Sequence, residues 1–110
     1  MHIALANFYL LSLTGQKMPA EIKSAAMEKT VTAKPEVIDW LKRSLDAVKA
    51  AHAAVKPEDL QRKVKVNGQE ATVDGMYLRI IVHANEHMGQ LVAYARMNGI
   101  VPPWSKTGNP

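Results

Sequence analysis

The sequence predicts an all-α protein, an up-down helical bundle of the four-helix type in which three long helices are present. Three segments repeat apolar residues at the helical spacing i, i+3, i+4. Each ends at a glycine or proline stop. Against them stands one short strand signal, "VKVNGQEATV".

The first helix is expected over about residues 2–13. His2, Leu5, Ala6, Tyr9, Leu10 and Leu13 fall on one apolar face, and Gly15 ends the helix. Residues 14–34 read as a connection, marked by Pro19 and "KTVTAK", although "AEIKSAAMEK" has the composition of a short helical turn. The second helix starts near Pro35, because proline suits a first helical position, with Thr32 as its candidate cap. Val37, Ile38, Leu41, Leu45, Val48 and His52 line one side. Lys56-Pro57 closes the helix, since the residue before proline disfavours helical backbone. Residues 58–73 read as a loop in which Asn67-Gly68 signals a hairpin. A two-stranded ribbon there would be marginal alone. The third helix runs from about Asp74 to Asn98, capped by Thr72 or Asp74. Asn98-Gly99 stops it and Pro102-Pro103 prevents a restart. The tail "WSKTGNP" reads as irregular, with Trp104 folded back on the bundle.

A chain of 110 residues is one domain by length. With 47% hydrophobic and 22% charged residues it is too apolar to be disordered. The net charge of +4, from 14 basic and 10 acidic residues, is mild. Its densest basic patch, Lys56 to Lys65, lacks the clustered footprint and stacking aromatics of a nucleic-acid surface. The absence of cysteine excludes disulfides, thiolate zinc sites and cysteine nucleophiles. The N-terminal stretch has no basic leader region, and its apolar run is too short to span a bilayer. A cytoplasmic protein without a membrane or nucleic-acid partner is the expectation.

The chemistry concentrates in "HANEH", residues 83–87. At about 100° per residue, His87 lies about 40° from His83, with Met76, Ile80, Gln90 and Tyr94 on the same stripe. Both histidines therefore face the seam, one turn apart, a spacing at which two imidazoles reach one metal ion. Burying them costs free energy unless each nitrogen finds a partner. A metal supplies one such partner, and hydrogen bonds within the bundle are the alternative. His2 and His52 also sit on seam faces. The competing readings are a frayed terminal residue for His2 and a cation at a helix C-terminus for His52. The pattern alone leaves both open as third ligand. "HANEH" also fits the inverted zinc-protease pattern. That enzyme class needs a further ligand, and the 23 residues after His87 hold no acidic residue and no histidine.

The stretch "HANEHMGQLVAYARMNGIVPPWS" resembles the C-terminal signature of the DinB-like domain. "KPEVIDWLKRSLDAV" is similar to that family's preceding helix, and "HIALANFYL" to the helix carrying its first histidine. The resemblance spans nearly the whole chain, 1–110. It implies a four-helix bundle with a divalent metal held by three histidines, which fall on His2, His83 and His87. His52 has no counterpart role. Family domains usually carry a helix before the first histidine, so the resemblance implies a domain truncated at its N-terminus. The apolar groove left by that helix makes a homodimer the expected assembly.

The resemblance further implies a metal-dependent enzyme that uses a low-molecular-weight thiol on a small-molecule substrate, as a transferase or in isomerisation. An all-imidazole site suits zinc, nickel, iron or copper, and zinc is the first expectation. Glu86, about 60° from His83, is a candidate to orient a ligand or serve as base, against a surface charge. Tyr94 is a candidate general acid, against a core aromatic with its hydroxyl at the rim. Gln90 is placed to line the pocket. A non-catalytic metal-binding or stress-response bundle that dimerises is the alternative reading, and a metal-free bundle a third.

Overall fold

The computed structural model describes residues 1–107. In chain order it contains α1 (His2–Leu13), the single-turn helix α2 (Met27–Thr30), α3 (Lys34–Ala54), β1 (Lys63–Val66), β2 (Gln69–Thr72) and α4 (Val73–Met97). Short 3₁₀ turns occupy Pro57–Asp59 and Pro103–Thr107. The protein is thus mostly helical, as expected, with one small antiparallel sheet. The last three residues of the predicted irregular tail lie outside the described residues.

α1 packs on both α3 and α4. It is apolar on nearly every side, so its spacing could not select the face that turns inward. The buried stripe is Ala4, Asn7, Phe8 and Leu11, with Leu10 beside it. The expected stripe through His2 and Tyr9 is a correction, because Tyr9 is 44% exposed. The inward face includes one polar residue. Asn7 is fully buried and donates from Nδ2 to Ser44 Oγ of α3 at 3.1 Å.

α3 begins without a side-chain cap at Ala33, so Thr32 does not cap it. Pro35 stands in its first turn as expected. Trp40, Ser44 and Ala51 are buried, with Ala47 and Val48 beside them. Ile38, Leu45 and His52 of the expected face point outward. The core sits in two parts. Leu10, Leu11, Ala51, Val73, Met76, Tyr77 and Ile80 pack around Val64 of the ribbon. At the other end Ala4, Phe8 and Trp40 are covered by Met18, Ile22, Met27 and Val31 of the long connection. That connection is further tied down where Arg43 lies over the Trp40 ring, 4.3 Å from its centroid, and pairs with Glu21 at 2.9 Å.

The ribbon turns at Asn67 (φ 49°) and Gly68 (φ 80°), with Val66 opposite Gln69. Two left-handed residues in a two-residue turn match the twist of the strands, which is why Asn-Gly marks this hairpin. The ribbon then delivers α4. Thr72 Oγ1 accepts from the Gly75 amide at 3.1 Å, while the Val73 and Asp74 amides donate to the carbonyls of Arg62 and Leu60. The leading amides of α4 are thereby satisfied. At the far end Gly99 (φ 73°) lets its own amide reach Arg96 O and the Ile100 amide reach Ala95 O, satisfying two of the last carbonyls. Only the first half of α4 is buried. Met88, Leu91, Tyr94 and Met97 are exposed, and Trp104, expected against the bundle, is 55% exposed. Among the described residues no helix is long and apolar enough to cross a membrane.

Candidate metal centre

Three elements bring the site together. α4 carries His83 and His87 on one face, a turn apart, and His83 is its last buried residue, 8% exposed. α1 contributes His2 from its first turn, which the Leu5 amide closes by donating to Met1 O at 3.0 Å. α2 contributes Glu28.

The three imidazoles meet through their Nε2 atoms. His2 Nε2 lies 3.2 Å from His83 Nε2, and His87 Nε2 lies 3.0 Å from it. The rings stand edge to face, with centroids 4.6 to 5.0 Å apart. One nitrogen from each ring thus falls within 4.8 Å of the others. On the outer side, His2 Nδ1 donates to Glu28 Oε2 at 3.0 Å and His87 Nδ1 donates to Gln90 Oε1 at 3.0 Å. Those two bonds fix tautomers. A neutral imidazole with its proton on Nδ1 has a bare lone pair on Nε2. So His2 and His87 both aim lone pairs at His83, which can offer a single Nε2 proton between them.

The electrostatics follow. Burial pushes the His83 imidazole below its ordinary value, and the neighbouring His87 and His2 rings add to the effect. His83 is therefore held neutral, as a ligand must be. Its Nδ1 is buried and has no hydrogen-bond partner among the described residues. The hydrogen bond from His2 holds the Glu28 carboxyl below the usual carboxylate range. Converging lone pairs, outward protons and a neutral buried ring suit one divalent ion. Ligand nitrogens at about 2.0–2.1 Å from a shared ion stand roughly 3 Å from one another, as two of the nitrogen pairs here do.

A family model described as the DinB superfamily matches residues 1–91. The chain belongs to the DinB superfamily. No curated protein and no solved structure matches it. The DinB match spans all three histidines together with Glu28 and Gln90. Residues 92–105, which shared in the sequence resemblance, lie beyond the matched segment.

The other residues singled out in this DinB chain are distributed as follows. His52 stands apart from the cluster, exposed near the end of α3 with its ring edge-on to Tyr77 at 4.9 Å. Glu86 faces Arg79 at 3.5 Å on the outer side of α4. Gln90 holds His87, and Tyr94, at 63% exposed, lies at the rim rather than in a core. Two cavities flank the histidines. One, of about 400 Å³, is bounded by Ile3, Val37, Leu41, Leu91 and Tyr94, with His2, His87 and Gln90 on its wall. The other, of about 460 Å³, lies against the ribbon, with Asn67, Glu70 and Arg79 near His2 and His83.

Sequence reasoning missed Glu28. The available signal was the short helical turn in "AEIKSAAMEK", which carries an acidic residue between Met27 and Val31. Nothing local shows that this turn is pressed against residue 2, because the packing of Met18, Ile22 and Met27 on Trp40 makes that contact.

Proposed function

We propose that this DinB-superfamily chain is a metal-dependent enzyme that binds one divalent ion, zinc in the first instance, through His2, His83 and His87. The substrate is a small molecule attacked by a low-molecular-weight thiol. The observation that carries the reading is the meeting of three Nε2 atoms, those of His87 and His2 at 3.0 and 3.2 Å from that of His83, while two Nδ1 protons are turned away into acceptors. A set held by internal hydrogen bonds alone would place a donor against each acceptor, and here one proton faces two lone pairs.

The chemistry an ion supplies at such a site is Lewis acidity, which increases the acidity of a water or thiol placed against it. The chain's own residues do the rest. Three histidine ligands leave coordination positions free for substrate. Gln90 fixes the His87 ring. The cavity walled by Ile3, Val37, Leu41 and Leu91 has no Asp, Glu, Lys or Arg side chain among its described lining residues and takes an uncharged apolar group. Arg79 and Asn67, in the cavity on the ribbon side, offer donors to a polar co-substrate. Tyr94 lines the apolar cavity, where its phenol can meet a leaving group. Glu86 is the weaker candidate of the two, because its carboxylate is turned to Arg79.

The same reading takes α1, α3 and α4 as three members of an up-down bundle whose open side a second copy covers. Leu78, Ile81, Met88, Leu91 and Met97 are exposed along α4, and Ile38 and Leu45 along α3. These side chains support a homodimer.

Metal analysis of untagged protein tests the centre. About one ion per chain is expected, and no uptake on refolding with zinc, nickel or iron(II) would reject it. Loss of thiol in the presence of a small apolar electrophile then tests turnover. A loaded protein without turnover would leave the non-catalytic metal-binding bundle as the reading. Light scattering at micromolar concentration tests the dimer, and a monomer there would refute it.

A further inference from the structure

We propose that Glu28 is a positioning residue for the histidine cluster, fixing His2 as the Nδ1–H tautomer so that its Nε2 lone pair is presented beside His83 and His87. The proposal rests on the metal-centre reading above and extends it to a carboxylate on a separate element. The distance from Glu28 Oε2 to His2 Nδ1 is 3.0 Å. A carboxylate only accepts, so the proton of that bond belongs to Nδ1 and Nε2 is left bare. Outer partners of this kind orient a ligand ring and raise its basicity.

The placement of Glu28 supports a purpose beyond a surface ion pair. α2 is a single turn in a connection of residues 14–33. Met27 and Val31, on either side of Glu28, pack on the cluster of Ala4, Phe8 and Trp40. The apolar contacts therefore hold the backbone of α2 while Glu28 reaches across to His2, 26 positions earlier. His2 needs such a partner more than the other two histidines. His83 is buried and His87 is held within its own helix, one turn from Gln90. His2 sits in the first turn of α1 with half of its side chain exposed. The partners also differ in kind. Gln90 presents the single oxygen of an amide to His87, whereas Glu28 presents a carboxylate, both of whose oxygens accept.

The experiment compares Glu28→Ala and Glu28→Gln with wild type, using Glu36→Ala on exposed α3 as control. Zinc affinity is read by competition with a chromophoric chelator. The His2 tautomer is read in metal-free protein from ring ¹⁵N shifts at about pH 8, above the ordinary imidazole pKa of about 6.5. Glu28→Ala is expected to weaken zinc binding by about 10–100-fold and to release His2 from the Nδ1–H form. Glu28→Gln retains an acceptor oxygen and recovers part of both effects, and Glu36→Ala changes neither. Unchanged zinc affinity in Glu28→Ala, or the same His2 tautomer with and without Glu28, would overturn the proposal. If wild type binds no zinc, the metal-centre reading fails, while the ring shifts still decide whether Glu28 sets the tautomer.

Discussion

Replacing His83 with leucine is expected to make the metal-free protein more stable while removing its affinity for metal. His83 is buried, its Nδ1 has no partner among the described residues, and its Nε2 faces two other ring nitrogens at 3.0 and 3.2 Å. An unsatisfied buried polar atom costs about 1–3 kcal/mol. Leucine is close to histidine in size and has no polar atom. Its different shape costs less than about 1.5 kcal/mol if neighbours repack. The expected net gain at pH 8 is about 1 kcal/mol.

The pH dependence adds a second, sharper signature. Burial lowers the His83 pKa in the folded state. The unfolded chain takes up its proton near the ordinary value of about 6.5, before the folded chain does. Above that pH the two states bind the same number of protons at this residue. Below it the unfolded state binds more, so wild-type stability falls as the pH drops from about 6.5 toward the lower folded-state value. Leucine has no such slope. The advantage of His83→Leu should therefore widen between about pH 8 and pH 5. Urea unfolding of chelator-treated protein, followed by far-UV circular dichroism, measures both effects. With a slope of about 1–3 kcal/mol per molar urea, a 1 kcal/mol gain moves the midpoint by roughly 0.3–1 M. A variant less stable than wild type at pH 8, or a difference that fails to widen on acidification, would refute this account of the buried ring.

Four further outcomes are expected. His87→Ala should lower zinc affinity by about 100-fold, since a zinc site of four ligands contributes about 10–16 kcal/mol, roughly 3 per ligand. His52→Ala should leave metal content unchanged, and dialysis with metal analysis checks both variants. Ser44→Ala should cost about 1–3 kcal/mol by stranding the buried Asn7 amide; thermal unfolding should show most of that loss recovered when Asn7→Leu is added. Thr72→Ala should cost about 1 kcal/mol through loss of the bond from the Gly75 amide, read as a lower denaturation midpoint with unchanged zinc affinity.

Some of this was legible in the sequence because it is local. The Asn67-Gly68 turn and the Asn98-Gly99 stop are set by backbone sterics within a few residues. So is the one-turn step from His83 to His87, whose rings meet as the spacing implies. The inward faces of α1 and α3 were not legible. α1 has apolar residues all round, and tertiary packing selected Asn7 over Tyr9 as a core residue. In α3 small residues, Ser44 and Ala51, turn inward because α1 approaches closely there, while Ile38 and Leu45 stay outside. The chain order of His2 and His52 offered no way to choose between them. The resemblance pointed to His2, and the structure brings His2, not His52, to the pair on α4. Glu28 escaped notice because its contact spans 26 residues and depends on how the connection packs.

The separation of 81 positions between His2 and His83 means that the two rings can meet only late in synthesis. An ion shared by these residues would act as a reversible cross-link across most of the chain. By the chain-entropy relation used for covalent links, closing a loop of that size removes about 4.5 kcal/mol of disorder from the unfolded ensemble. The link cannot form early. At about 5–20 residues per second on the ribosome, His2 waits roughly 4–16 s before His83 is made, and longer before α4 clears the exit tunnel. A nascent chain therefore presents isolated histidines, and capture of such an ion would become tight only once α1 has docked on α4. Metal uptake would then mark completion of the fold, and a chain stalled before residue 83 would hold none.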